Sequence, residues 1–504
     1  MRYLSSRRTF PWFLAECLSV TPIITDLDGD GQFDILSTTM DGDMYGINLL
    51  AEEMDGFTWA TGETIQNQTA LGDVDADGEN EIVLATRAGN IYARNLDGSL
   101  AYVYQHDADQ LLTPVLTDMD GDGLLETVSY GIDGELIVLD ENGELENGFP
   151  LSLGVLSFQE MAAADMNGDG GTEIALACLD GQLHLIKYNG QEIDGFPVDL
   201  GSNPSSGATI LDNHNLALGT MDGRLLVISP TGEIITDKQL EANIVSAPIA
   251  ADFDEDGELE LAFTTAFGAV YICQQDGTDL PGWSVDIGCS ISQPPLAVDI
   301  DNTGGIDLIW FSATNTVYVY NNDGTEIDFS PVPINYNSNY PASIADLDND
   351  LDYEIVFSTS NRVIVIDSKL RKGSEAPWST YRGNLCRTGY YGDNQLTDND
   401  VAEVIPAGNV LLPNYPNPFN PTTTISFFSA EGSENSEINI YNIKGQQVRS
   451  FKIDDGKRET GDGIQSVVWD GKDKAGKTVA SGVYFYRLQV DKKTCGIQRM
   501  LLLK

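Results

Sequence analysis

The 504-residue chain carries 78 acidic and 27 basic side chains, a formal net charge of −51 at pH 7. Such a surface repels a polyanion, so nucleic acid is excluded as a partner, and no apolar run reaches the length of a transmembrane span. Six scattered cysteines, Cys17, Cys178, Cys273, Cys289, Cys386 and Cys495, contain no CxxC pair and set no disulfide framework; Cys178 and Cys273 read as small core residues.

The first residues, MRYLSSRRTFPWFLAECLSV, are basic, but their apolar run is short and broken by Pro11 and Glu16. They lack the hydrophobic stretch and small-residue cleavage site of a secretory signal, so the true start is expected upstream, or the sequence is a fragment. Within them TFPWFLAE matches the closing segments described below. It is expected either to complete the last blade as an outer strand or to be the stub of a lost one.

DLDGDGQFD comes next, with Asp26, Asp28, Asp30 and Asp34 at positions 1, 3, 5 and 9. Carboxylates this dense make sense around a cation, and hard ions such as Ca²⁺ take about six to eight oxygen ligands. Positions 1, 3 and 5 of a tight loop point inward together, Gln32 at position 7 offers its carbonyl, and position 9 closes the shell. Gly31 permits the bend. The last acid at position 9, and the β-branched flanks TPIIT and FDILSTT, separate this loop from an EF-hand.

The motif recurs in phase. DVDADGENE supplies Asp73, Asp75, Asp77 and Glu81; DMDGDGLLE supplies Asp118, Asp120, Asp122 and Glu126; DMNGDGGTE supplies Asp165, Asn167, Asp169 and Glu173. DFDEDGELE follows with Asp252, Asp254, Asp256 and Glu260, DIDNTGGID with Asp299, Asp301 and Asp307, and DLDNDLDYE with Asp346, Asp348, Asp350 and Glu354. Their first residues are 47, 45, 47, 87, 47 and 47 positions apart, and in the gap of 87 Asp212 of LDNHNLALG is in phase without the other acids. Eight units result, seven with the acidic loop. Thr303 replaces the third acid of one loop and Leu351 the glycine of the last, which puts those two sites in question. The unit at Asp212 is expected to bind nothing.

A short apolar segment precedes each loop, as in TPVLT or APIAA, and one such as EIVLAT follows it. A turn (MDG, IDG), a strand such as GELIVLD, a second turn and a segment resembling GFPLSL close the unit. Phe10, Phe57, Phe149, Phe196 and Trp283 of the closing segments are in phase and read as core residues. Four strands per unit of this length is the pattern of a β-propeller blade. Residues 9–391 are therefore expected to form an eight-bladed β-propeller, seven-bladed if the weak unit is irregular.

The D-x-D-x-D-G loops and GFP segments resemble the FG-GAP or VCBS-type calcium propeller repeats, also seen in integrin α-subunits. PWSTYRGNLCRTGYYG, at the end of the repeats, resembles the terminal blade strand of secreted bacterial members. The resemblance implies Ca²⁺ at the blade edges, up to one ion per acidic loop, held by the acids named above at matching positions.

Residues 392–410, beginning GDNQLTDND, are polar and acidic without periodicity and read as a linker. Residues 411–504 change composition. INIYNIKGQQVRSF, SVVWDGKD and GVYFYRLQV alternate like sandwich strands, so this all-β chain is expected to end in a small Ig-like β-sandwich. NYPNPFNP, IYNIKGQQV, WDGKDKAGK and ASGVYFYRL resemble the type A C-terminal sorting domain of the type IX secretion system of Bacteroidetes-like bacteria. That implies export by the type IX machinery and a secreted or outer-surface location, with the domain read as an address.

No catalytic motif appears in credible context. His106, His184 and His214 read as surface or strand residues, as do Arg87, Arg94, Arg224 and Arg362. The expectation is a calcium-binding, secreted or cell-surface propeller acting as a binding or adhesion module toward an extracellular protein or glycan. Two alternatives stay open: a calcium-dependent polysaccharide lyase, marked by basic and aromatic side chains in the central funnel, and a structural surface-layer component.

Overall fold

Each acidic loop joins two short apolar strands. In the first repeat Ile23–Thr25 enters the loop and Asp34–Thr38 leaves it, antiparallel, with Ile24 opposite Ile35. Asp43–Ile47 and Trp59–Ala60 complete the sheet in chain order. The computed structural model describes residues 18–394 and 410–502, except 19, 50–51, 55–56, 108–109, 292, 328, 335–339, 374, 416–418, 420, 429–435, 443, 445, 454–463, 475 and 491–492. The TFPWFLAE segment with Phe10, Cys17 and nearly all of the linker lie outside those residues.

Among the described residues the meander gives eight sheets between Ile23 and Arg371. Seven have four strands, and the last has three, Ser343–Ala345, Asp352–Thr359 and Arg362–Arg371. GFP segments make short outer strands such as Leu151–Ser152 and Val198–Asp199, and two repeats without the tripeptide have longer ones, Leu100–Gln105 and Ile234–Gln239. The second strand of each sheet lies between two neighbouring sheets. It is therefore buried throughout rather than alternating, as in Glu81–Ala85 and Glu173–Ala177, where only the loop's closing glutamate is polar.

The sheets close a ring. Each neighbouring pair shares an apolar cluster, such as Ile23, Leu36, Leu71 and Ile82 between the first and second, or Phe311, Ile344 and Phe357 between the seventh and eighth. Leu18, Ile35 and Ile47 of the first unit then pack on Leu347, Val356 and Val363 of the eighth. Ser343 Oγ donates to Pro22 O at 2.6 Å across the same seam. Phe149, Phe196 and Trp283 are buried in the clusters between sheets. Burying an aromatic side chain of this size stabilises by about 1.5–3 kcal/mol.

The segment after the last sheet corrects the sequence reading. APWSTYRGN does not add an outer strand. Residues 375–391 run past the first strands of successive sheets, which face the ring's axis. Leu71, Leu116, Ala163, Ile210 and Ile344 each donate a backbone N–H to carbonyls of Leu385, Cys386, Thr388, Gly389 and Ser379. Ala297 exchanges both backbone bonds with Trp378, whose Nε1 donates to Ala250 O at 2.5 Å. These seven residues all stand two positions before the loop's first residue. One segment thus collects the free edge of seven first strands and fills the axis.

Contacts divide the chain into two units, Met1–Thr397 and Asp398–Lys504. In the second, Val410–Tyr415, Thr423–Phe428 and Ile464–Trp469 form one sheet. Gln447–Ile453, Ser436–Asn442, Gly482–Val490 and Lys493–Leu502 form the other. Phe419, Ile425, Phe427, Ile438, Trp469 and Tyr486 fill the core. Two facing antiparallel sheets of this kind make an Ig-like sandwich. The chain is all-β, a β-propeller followed by an Ig-like domain.

Candidate metal centres

The acid at position 9 is the fixed point of each loop. It begins or lies within the second strand and is buried in all seven cases. One of its oxygens always accepts the backbone N–H of position 2: Leu27 to Asp34 at 3.1 Å, Val74 to Glu81 at 2.9 Å, Met119 to Glu126 at 2.7 Å, Met166 to Glu173 at 2.9 Å. Phe253 to Glu260 at 2.8 Å, Ile300 to Asp307 at 3.0 Å and Leu347 to Glu354 at 2.7 Å repeat the contact. The first Asp folds the loop tip. Asp26 Oδ1 accepts from Gly29 at 2.8 Å and its Oδ2 from Gly31 at 2.8 Å, and Asp118 does the same for Gly121 and Gly123. Position 6 takes a positive φ, +82° at Gly31 and +91° at Gly78, which explains the glycine.

That bonding leaves oxygens facing one another. Asp73 Oδ1, Asp75 Oδ1 and Glu81 Oε1 are buried without any hydrogen-bond partner. In this loop, and for Asp26, Asp28 and Asp34 or Asp252, Asp254 and Glu260, three carboxylate oxygens lie within 4.8 Å of one another. Orphaned acid oxygens aimed at one point suit a hard dication. The electrostatics agree. Burial, then the neighbouring aspartates, push Asp34 up to about 6, Glu81, Glu173 and Glu260 to about 7, and Glu126 and Asp307 to about 8. The backbone bond from position 2 pulls each down without cancelling the rise. Without positive charge these acids hold protons near neutrality; a cation allows them to ionise together.

Three loops differ. In the fourth sheet Asn167 Nδ2 donates to Glu173 Oε1 at 2.6 Å, an amide N–H standing where a cation would be. In the seventh, Thr303 Oγ1 donates to Asp301 Oδ1 at 2.7 Å, so the replacement residue occupies the acid it stands beside. In the eighth, Lys369 Nζ lies 3.3 Å from Asp350 and 3.8 Å from Asp352 and pairs with Asp367, while Lys372 Nζ lies 3.5 Å from Asp346. Leu351 takes glycine's place there at φ +69°. At the weak fifth unit, a short turn replaces the loop, and Asn213 and Asn215 donate to Gln275 Oε1.

The sequence offered some signal for the lysines, since only four lie in residues 18–394 and two are these. It gave none for their direction. A register shift in the last hairpin, between Asp352 and Glu354, turns the strand near Lys369.

The remaining candidates do not converge. Arg94 lies over the Trp59 ring at 4.4 Å, Arg224 pairs with Asp222 and Asp237, and Arg87 is exposed on a turn. Arg362 begins the last strand. His184 Nδ1 meets Glu192 Oε1 at 2.6 Å, and His214 stacks on Tyr390. Basic and aromatic side chains do gather at the axis, where sequence reasoning placed none by name. Arg387 Nε donates to Thr69 O at 2.8 Å and its Nη1 to Tyr381 O at 2.8 Å; Arg382 Nη2 donates to Met161 O and Ala208 O. Tyr381 donates to Glu160 Oε1 at 2.9 Å. Burial lowers both guanidinium groups, Arg387 to about 10. Arg382 Nε and Nη1 and Ser246 Oγ stay unpartnered beside Glu160, at a recess about the size of one water molecule.

Residues 417–494 match the family model of the FlgD Ig-like domain. BamB from Moraxella catarrhalis is similar in structure, with 15% identity, TM-score 0.50, and coverage of 69% of this chain and 96% of that one. BBS1N, solved in complex with ARL6DN, is 13–14% identical with TM-score 0.44, covering 59–60% of this chain and 90–91% of that one. The V. cholerae biofilm matrix protein Bap1 is 13% identical with TM-score 0.39, covering 73% of this chain and 81% of that one. No curated protein matches the chain in sequence. No helix among the described residues is long and apolar enough to cross a membrane. At these identities the structural likeness establishes fold alone: a propeller, with an Ig-like domain after it.

Proposed function

We propose that the chain is a secreted or cell-surface calcium-binding propeller of the FG-GAP/VCBS type that acts as a binding or adhesion module. Its ligand is an extracellular protein or glycan. Residues 411–504 serve as a type A sorting domain for the type IX secretion system. The observation that carries the calcium reading is the trio of unpartnered oxygens on Asp73, Asp75 and Glu81, set in a loop whose acids recur in the first, third and sixth sheets. Bound Ca²⁺ supplies the charge that lets these acids ionise together. The chain's own residues do the rest: the first Asp shapes the loop tip, and the position-9 acid ties it to the core strand.

Binding is favoured over catalysis by the filled axis. Tyr381, Arg382 and Arg387 are buried, their bonds run largely to backbone carbonyls, and the recess beside them has no room for a sugar ring. The sorting role is supported by the Ig-like match at residues 417–494 together with the YPNPFNP and GVYFYRL segments.

Calorimetric titration of the full chain with Ca²⁺ tests the metal reading. At least four ions per chain are expected, one each for the loops of the first, second, third and sixth sheets, and no uptake sinks it. An array of extracellular proteins and acidic polysaccharides, read with and without chelator, tests the binding reading. Calcium-dependent capture without new ultraviolet absorbance supports it; absorbance of unsaturated sugar products makes the chain a lyase instead.

A further inference from the structure

Antiparallel strands alternate direction, so the connections within and between sheets sort onto two faces of the ring. The acidic loops join first to second strands on one face. The turns between second and third strands, and the links from each sheet to the next, lie on the other. That second face holds a cluster of different composition. His106 follows the outer strand of the second sheet, Leu100–Gln105; Asp133 and Glu135 sit at the turn that opens the third strand of the third sheet, Glu135–Leu139.

His106 Nε2 stands 3.1 Å from Asp133 Oδ2 and 3.5 Å from Glu135 Oε2, and three such ligand atoms lie within 4.8 Å of one another. Zn²⁺ binds imidazole nitrogen and carboxylate oxygen at about 2.0–2.2 Å in tetrahedral geometry, which spaces neighbouring ligand atoms by roughly 3.4 Å. The two separations from the imidazole nitrogen, 3.1 and 3.5 Å, suit that spacing. The imidazole is only 7% exposed, so it is held rather than free. Backbone bonds hold His106, its N–H to Gly89 O at 2.9 Å, and Glu135, whose carbonyl accepts from Gly131 N–H at 2.8 Å, and Asp133 Oδ1 accepts the Glu135 N–H at 3.4 Å.

The charge at this point is unbalanced. One ring nitrogen faces two carboxylates, and Asp107 lies next in sequence. Among the described residues no lysine or arginine forms an ion pair with Asp133 or Glu135.

We propose that His106, Asp133 and Glu135 bind a Zn²⁺-class transition-metal ion that bridges the second and third sheets on the face opposite the acidic loops. The nitrogen ligand separates this site chemically from the loops, whose all-oxygen sets suit Ca²⁺, since imidazole selects zinc, copper or nickel. Three protein ligands leave a fourth position open on the exposed side of Asp133.

The chain's three histidines make the test direct. The full chain, ¹⁵N-labelled at histidine and held in excess Ca²⁺ to fill the loops, is titrated with Zn²⁺ while the imidazole nitrogens are followed by NMR. One equivalent is expected to shift one imidazole, and that signal is absent in His106→Gln. Zinc affinity should fall in His106→Gln and in Asp133→Asn/Glu135→Gln by at least the roughly 10–100-fold that even outer-shell partners cost, with calcium uptake unchanged. The proposal is overturned if Zn²⁺ moves no imidazole, if the shifted signal survives in His106→Gln, or if both variants keep wild-type zinc affinity.

Discussion

The loops of the second and eighth sheets begin from nearly the same sequence and reach neutrality by different routes. In the second, Asp73, Asp75 and Glu81 leave three buried oxygens unpartnered. In the eighth, Lys369 and Lys372 bring positive charge to the loop from the chain's own last hairpin, while Asp352 Oδ1 and Glu354 Oε1 still lie buried without a partner. Burial drags the Lys369 ammonium down, yet its bond to Asp367 and the charges of Asp350 and Asp352 hold it above its ordinary value. Glu354 stays raised by burial and by Asp348 despite the lysines, because they serve the outer acids. Clustered acids at a blade edge therefore require positive charge, and either a dissolved ion or a tethered ammonium can provide part of it. The glycine lost at Leu351 belongs with the second solution.

The largest effect that separates the two routes is removal of the dissolved ion. A site held at 100 times its dissociation constant stabilises by about 2.7 kcal/mol, and the four loops of the first kind act together. Chelation is expected to lower the propeller's melting temperature by on the order of 10 °C, measured by calorimetry on the full chain. A melting temperature indifferent to chelator would place all seven loops in the self-neutralised class and erase the contrast.

A smaller effect tests the tethered ammonium. Lys369→Met leaves Asp350, Asp352 and Asp367 without their cation. Breaking a buried pair costs about 3–5 kcal/mol, and since the Lys369 side chain is 42% exposed, solvent screening trims this to roughly 2 kcal/mol. Excess Ca²⁺ should recover most of the loss in urea unfolding, because the mutation turns the eighth loop into one of the second kind. Loss without recovery would mean that the eighth loop has the acids but not the shape of a cation site.

Much of this was open to reading in the sequence, for a physical reason. Acids at positions 1, 3, 5 and 9 are local, and both their spacing and their recurrence every 45 to 47 residues are carried by the chain itself. The apolar second strands and the alternating tail strands follow from burial on two faces or one. The axial segment was misread as a blade strand because its partners are backbone groups of distant strands: Arg387 meets Thr69 across 318 residues. Main-chain acceptors leave no pattern in side-chain identity. His106 was read as a surface or strand residue, since its two acids come from the next sheet and form no motif along the chain. Lys369 depends on an irregular register that no composition reports.

The smallest effect is the sharpest probe of the second loop. Glu81 sits at about 7 in the fold against an ordinary 4.5, raised first by burial and then by Asp75 and Asp77. In metal-free protein its contribution is thus fully present below the unfolded value and is lost as pH rises through about 7. Glu81→Gln mimics the protonated acid, so in chelator near pH 6 it should change stability by less than about 1 kcal/mol. Between pH 5.5 and 8 the metal-free variant should lose less stability than the parent, because one titrating group is gone. With calcium the sign reverses. The ion holds Glu81 ionised, its stabilisation fades as pH falls, and Glu81→Gln should bind one ion fewer than the parent. Parallel stability–pH curves for variant and parent in chelator would mean that Glu81 is not the proton-holding group of its loop. The orphaned oxygens would then need another account.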